Sequence, residues 1–285
     1  MKILARFGLL FAAGLLSACA TNTPLNLMGY HPHYEPEQQL SFTKGRALVI
    51  TTSQATLGED GDATGVFASE MTGPYYVFQD SGLQVDVASI KGGAIPVDPV
   101  SFSWYVIAES DQRYQQDDAF QAKVENSIKI DDVDISDYDI VYIAGGWGAA
   151  YDLGYSDVLA DKMSQAYAQN KAIGAVCHGP LGLLKAHKPD GSLLVEGTRL
   201  TAVSDRQIAQ LFVTETPQHP ENELRKAGAL YEADWSLLDI LSNHVVVDGR
   251  IVTGQNQNAG EEVAYKLLQL VAGETPQLVA GEAPQ

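Results

Sequence analysis

A mostly parallel β-sheet covered by helices on both faces is the fold class this sequence predicts, and three observations predict it. Short apolar runs rich in β-branched residues alternate with helical stretches along the middle of the chain. Most of these runs are apolar on both faces, as strands buried from both sides require. Residues 46–272 supply about 230 residues, enough to bury one such domain.

The elements follow in order. Arg46–Thr52 is a strand run of Val, Ile and Thr type, and Leu83–Ser89 alternates with Leu83, Val85 and Val87 on one side. Asp139–Ala144 and Ala172–Val176 are short apolar runs that end in Gly145 and Cys177. Helices are predicted over Val66 to Gln79, with a kink or break at Pro74, over Val158 to Gln169, and around Leu181 to Lys185. A last helix over Ala259 to Val271 carries Glu261 and Glu262 in its first turn and Gly273 beyond its end, as the helix dipole and the C-cap favour. Val245–Thr253 reads as a hairpin with Asp248-Gly249 at a type I′ turn. In sheets of this kind, sites lie beyond the carboxyl ends of the strands. That rule selects the segment after the first strand, Gly145-Gly146-Trp147-Gly148, and Cys177-His178-Gly179-Pro180.

The two ends are of another character. Lys2 and Arg6 precede an apolar run from Phe7 to Leu16, too short to span a bilayer but suited to a signal peptide. Leu16-Ser17-Ala18-Cys19 resembles the lipobox of bacterial lipoproteins, which implies a leader over 1–18 and acylation of Cys19. Ala20, not Asp, follows the cysteine, and the resemblance then implies an outer-membrane lipoprotein facing the periplasm. Residues 19–45 read as an acylated tether, and residues 273–285 as a disordered tail left by a tandem repeat, Val271–Gln277 followed by Val279–Gln285. His31, His33 and Glu35 are a weak metal set in such a tether, and no metal site is assigned. The chain has 36 acidic and 18 basic residues, a net charge of −18, which argues against nucleic acid as a partner. Membrane contact is expected through the lipid anchor alone, and a homodimer is left open.

Of two cysteines, Cys177 would be left without an intramolecular partner if Cys19 is acylated. It runs from an apolar strand directly into a helical stretch, the geometry of a nucleophile elbow, with Gly174 and Gly179 leaving room beside it. A helix N-terminus there would lower the thiol pKa below its reference of about 8.5. Backbone N–H groups at Gly145 and Gly146, together with that of His178, could receive an oxyanion. A buried, inert thiol is the bland alternative. His187, His219 and His244 have no ligand-like spacing and read as structural, and there is no Walker, Rossmann or zinc-type pattern, so no cofactor is expected.

The motifs taken together resemble the ThiJ/PfpI superfamily of the flavodoxin-like, class I glutamine amidotransferase-like fold, within the branch of glyoxalase III enzymes and heat-shock chaperones. They are Thr64–Glu70 with Pro74-Tyr75, Gly92–Ser101, Tyr138–Gly148, Ala175–Pro180 and Asp248–Asn256. The resemblance implies that Cys177 is the nucleophile, that Glu70 reaches it from the helix after the first strand, and that His178 is an acid–base neighbour. Read from the residues alone, Glu70 is an ordinary helical glutamate. The resemblance also places Asp98 and Trp147 at the pocket, Trp147 where the branch often carries histidine. The branch orients its histidine with a downstream carboxylate, but Ile208 stands at that position here, with Asp205 the nearest substitute.

The resulting expectation is a cofactor-free, cysteine-dependent lyase of the glyoxalase III type, converting small 2-oxoaldehydes to 2-hydroxy acids. A cysteine hydrolase or hydratase of the same fold is the enzymatic alternative. A non-enzymatic holdase or oxidation sensor at the envelope is the alternative from another class.

Overall fold

The computed structural model describes residues 23, 25–32, 34–36, 38–59, 61–211, 216–235 and 241–273. The expected leader with Cys19, His33, and the tail beyond Gly273 lie outside the described residues.

Nine strands occur in chain order: β1 Arg46–Thr51, β2 Gln84–Ser89, β3 Ile128–Lys129, β4 Ile140–Ile143, β5 Ala172–Val176, β6 Arg199–Leu200, β7 Leu230–Tyr231, β8 Val245–Asp248 and β9 Ile251–Gly254. Seven of them form one sheet in the order β3-β2-β1-β4-β5-β9-β8. All neighbouring pairs are parallel except the β8–β9 hairpin at the edge. β6 and β7 make a separate two-stranded ladder. The α-helices are α1 Ala68–Asp80, α2 Glu109–Tyr114, α3 Asp118–Glu125, α4 Ala149–Asp152, α5 Asp157–Ala168, α6 Asp205–Gln210, α7 Pro220–Lys226 and α8 Gly260–Ala272.

Period-two alternation sorts the central strands into two cores. Ala47 and Val49 of β1, Tyr142 of β4 and Val176 of β5 face α1 and α8, meeting Met71, Phe78, Val263 and Leu267. Leu48, Ile50, Val141, Ile143, Ile173 and Ala175 face the other side, where Leu159 and Met163 of α5 cover them. The sheet is thus buried on both faces, which is why its strands read as continuous apolar runs.

Three local expectations need correction. Pro74 does not break α1, which continues through it. The proline ring packs against Gly260 of α8, where an added Cβ would stand 3.6 Å from the ring, so tertiary packing outweighs the helix-breaking tendency. The stretch after Cys177 is not an α-helix but a five-residue 3₁₀ turn, Gly179–Leu183, with Pro180 at its start. The hairpin turn places Gly249 and Arg250 at its two central positions, because Asp248 pairs with Ile251. Only Gly249 has positive φ, at 57°, so the turn is of the II′ rather than the I′ kind.

The N-terminal segment also departs from a free tether. Asn26–Met28 forms a 3₁₀ turn, and Asn26 Nδ2 donates to the Ile107 carbonyl at 3.1 Å. The His31 backbone N–H donates to Asn258 Oδ1 at 2.8 Å, and the Phe42 N–H to the Ser81 carbonyl. Tyr34 stacks near Tyr265 of α8, with ring centroids 5.4 Å apart. These contacts lay the segment across the α1–α8 face as a strap. Sequence pattern missed this because the segment has no periodicity to mark it.

Candidate active site

β1, β4 and β5 end together at the carboxyl edge of the sheet, and the candidate residues converge there. Cys177 follows β5 with φ of 56°, the left-handed region that a side-chain-bearing residue occupies only when its surroundings enforce it. The enforcement is visible on both sides of the residue. The Cys177 N–H bonds to the Gly254 carbonyl and the Val203 N–H to the Cys177 carbonyl, both at 3.0 Å. The predicted elbow is therefore present.

Glu70 is fully buried in the first turn of α1. Its Oε2 accepts the Gly145 N–H at 2.9 Å, and its carboxyl shares a hydrogen bond with the Cys177 thiol. Burial lifts the carboxyl to about pH 8, the two hydrogen bonds opposing that rise. Gly145 is required because a Cβ there would stand 2.6 Å from the His178 nitrogen and 2.7 Å from Glu70 Oε2. Its N–H is thus committed to Glu70 and does not serve as an oxyanion donor, contrary to expectation. The Gly146 and His178 N–H groups do face the Cys177 sulfur.

The thiol also corrects the sequence reading. Burial, and then the charge of Glu70, push Cys177 upward, while the Gly146 and His178 N–H groups pull weakly the other way. A short 3₁₀ turn has too small a dipole to reverse this. The thiol and Glu70 share a low-dielectric site in which any negative charge is costly, so both keep their protons at neutral pH and the carboxyl is the first to release its own.

His178 Nδ1 lies 3.4 Å from Cys177 Sγ, and Nε2 is buried with no hydrogen-bond partner. Desolvation drives the imidazole down to about pH 3, so the ring is neutral at neutral pH. Asp205 does not supply the missing carboxylate. Its Oδ1 pairs with His219 Nδ1 at 3.1 Å and its Oδ2 accepts from Asn222 at 2.6 Å. Ile208 is buried in the same apolar cluster as Cys177 and Val203. Trp147 stacks obliquely on His178, ring centroids 4.9 Å apart. Asp98 caps the turn Pro99–Phe102 through the Val100 N–H and accepts from Thr64 Oγ1, both at 2.9 Å.

Cys177, His178, Glu70, Gly146, Trp147 and Asp98 all line one cavity of about 450 Å³. Most of the remaining wall is apolar, including Phe67, Val100 and Val203. Among the described residues no group of three or more His, Cys, Asp or Glu could hold a metal ion. Tyr30, which the sequence reading passed over, lines the same cavity.

A doubly covered parallel sheet with a strained cysteine at a strand end and a buried carboxyl against it defines the α/β proteins built on a cysteine nucleophile elbow. Within that class the chain belongs to the DJ-1/PfpI family, whose sequence profile matches residues 63–270. Glutathione-independent glyoxalase hsp3101 of Schizosaccharomyces pombe is 29% identical over 232 residues, spanning 78% of this chain and 94% of its own. Glyoxalase 3 of Candida albicans is 28% identical over 235 residues, spanning 76% of this chain and 94% of its own. The crystal structure of glyoxalase III from Candida albicans superposes with a TM-score of 0.72 at 27% identity, covering 79% of this chain and 96% of that one. The Francisella tularensis Rapid Encystment Protein of 24 kDa gives a TM-score of 0.73 at 30% identity, covering 80% and 99%.

Proposed function

We propose that this chain is a glutathione-independent glyoxalase that converts 2-oxoaldehydes to 2-hydroxy acids. The observation that carries the reading is the buried, hydrogen-bonded Glu70–Cys177 pair beneath the Gly146 and His178 N–H groups. Relatives named as glyoxalases at 28–29% identity support it.

In this reaction Cys177 Sγ forms a bond to the aldehyde carbon while its proton passes to the ionised fraction of Glu70, which a pKa near 8 leaves available at neutral pH. The two N–H groups hold the resulting alkoxide. A carboxyl with a pKa near 8 suits the next step, because a group poised near the working pH can both take and return a proton. Glu70 passes the thiol proton to that alkoxide, giving the hemithioacetal, and the carboxylate so freed removes the hydrogen from the former aldehyde carbon, giving an enediolate thioether. It then returns that proton to the neighbouring carbon while the hydroxyl proton on the former aldehyde carbon moves to the adjacent oxygen, leaving a thioester of the 2-hydroxy acid. Water cleaves the thioester and restores the thiol, so the net change is addition of one water to the oxoaldehyde. His178, neutral and without an orienting carboxylate, acts chiefly through its backbone N–H.

The test is turnover of methylglyoxal by the reduced, EDTA-treated protein without glutathione. Wild type should form lactate, and Cys177→Ala should form none. A correctly folded wild type that forms no lactate would sink the reading.

Location is a second proposal. The lipobox-like Leu16–Cys19 supports acylation at Cys19 and an outer-membrane position facing the periplasm. Labelling with a palmitate analogue should mark wild type and spare Cys19→Ala; label retained in the variant would defeat it.

A further inference from the structure

Tyr30 belongs to neither the sheet nor the elbow, yet its side chain lines the cavity that holds Cys177 and Glu70. It is 8% exposed. Among the described residues its hydroxyl makes no hydrogen bond, and unlike the Tyr142 hydroxyl it is not sealed off within the protein. The ring is held firmly. His31, the next residue, sits in the left-handed region with φ of 56° and packs edge-on against Tyr30, centroids 4.5 Å apart. His31 Nε2 donates to the Val106 carbonyl at 2.8 Å. Its backbone N–H reaches Asn258 Oδ1, and Asn258 is in turn tied by its own N–H to Asn256 Oδ1 just after β9. The strap is therefore anchored to the loop that follows the strand beside the elbow, so Tyr30 is fixed relative to Cys177.

A preorganised, unpaired donor in an apolar pocket is a ligand contact waiting for an acceptor. Burial first, and then Glu70 and Cys177, oppose ionisation of the phenol, which keeps it an O–H donor through the neutral range. The Gly146 and His178 N–H groups are aimed at the sulfur and so at the oxygen of the carbon it attacks. A 2-oxoaldehyde has a second oxygen one carbon away, and no main-chain donor is assigned to it.

We propose that Tyr30 is a substrate-binding residue contributed by the N-terminal strap, and that its hydroxyl donates to the second carbonyl oxygen of the bound 2-oxoaldehyde. The inference rests on the glyoxalase reading for its acceptor and on the cavity geometry for its placement. On forming the enediol that oxygen gains negative charge, so the bond strengthens as the reaction proceeds. A hydrogen bond to a charged group is worth about 1.5–3 kcal/mol, or roughly 10–100-fold in rate.

Two variants in the full chain separate the claims. Tyr30→Phe keeps the wall and removes the hydroxyl. It should lower kcat/KM for methylglyoxal and for phenylglyoxal by roughly 10–100-fold, mostly in kcat. The rate at which N-ethylmaleimide alkylates Cys177 should not change. Tyr30→Ala removes the wall and should raise that alkylation rate several-fold. Wild-type kcat/KM in Tyr30→Phe would overturn the hydrogen-bonding role. Unchanged alkylation in Tyr30→Ala, with an unchanged unfolding midpoint, would overturn the placement. If wild type turns over neither oxoaldehyde while Tyr30→Ala still accelerates alkylation, the reaction assigned above fails and the acceptor with it, whereas Tyr30 stands as a wall of the cysteine site.

Discussion

Glu70→Gln converts the buried carboxyl into a neutral group of the same shape, and its consequence for stability can be worked from the site. In the folded protein Glu70 titrates near pH 8; its ordinary value is 4.5. Between those values the unfolded chain has released the proton and the folded chain has kept it. The folded state therefore binds more protons there, and its stability falls as pH rises. The slope is about 1.4 kcal/mol per pH unit for one proton. Raising the pH from about 5.5 to about 7.5 should thus cost wild type about 3 kcal/mol relative to a group that does not titrate. His178 works in the opposite sense. Its folded pKa of about 3 lies below the ordinary 6.5, so its contribution is lost as pH falls through that interval. Both proteins carry His178, so the difference between them isolates Glu70. Glutamine retains an acceptor for the Gly145 N–H and a donor toward Cys177, so the site should stay packed. Urea unfolding of both proteins at the two pH values reads the result. The variant should gain on wild type by about 3 kcal/mol across the interval. A difference between the two proteins that stays constant within about 1 kcal/mol would show that Glu70 is ionised in the fold, and the argument that burial keeps it protonated would fail.

The thiol should alkylate with a pH midpoint above the reference of about 8.5, because burial and Glu70 both oppose the thiolate; iodoacetamide kinetics giving a midpoint below that reference would contradict this. Glu70→Gln should reduce glyoxalase turnover about 10²–10⁴-fold, as loss of a general base does. His178→Ala should cost less than Glu70→Gln, because a ring that titrates near pH 3 is a poor base at neutral pH; a larger loss in His178→Ala would reverse the assignment. Gly145→Ala should lower both activity and the unfolding midpoint, by about 1–3 kcal/mol, since its Cβ falls on the His178 nitrogen and Glu70; calorimetry that finds wild-type stability would show that the elbow can yield.

What could be read from the sequence follows what is local. β5 and its abrupt end at Cys177 were legible because an apolar run met Cys-His-Gly-Pro, and the elbow needs no distant information. The bounds of α8 were nearly so, its Glu pair and Gly273 marking the ends by charge and by left-handed φ. Short pieces such as β3, β6 and β7, two residues each, carry no period to detect. Glu70 was found only through family resemblance, because helical spacing cannot reveal that a side chain crosses from α1 to an elbow more than a hundred residues away. The direction of the thiol shift was missed for a related reason. A helix start was read as a dipole, but the balance is set by burial, which only the assembled fold supplies. The role of the N-terminal segment was missed because Tyr30 and His31 are fixed by partners at Val106 and Asn258.

The left-handed backbone at Cys177 also bears on how this site can change over time. A non-glycine residue held at φ of 56° costs the fold about 1–2 kcal/mol that glycine would not. Cys177→Gly should accordingly be more stable than Cys177→Ala, apart from the small loss of methyl burial. Drift under selection for stability alone would move this position toward glycine and away from any side chain. A cysteine retained there is a standing expense of the fold, and the elbow is a place where inactivating substitutions make the chain easier, not harder, to fold. Loss of chemistry in descendants of this protein should therefore leave a well-folded shell with the strap and cavity intact.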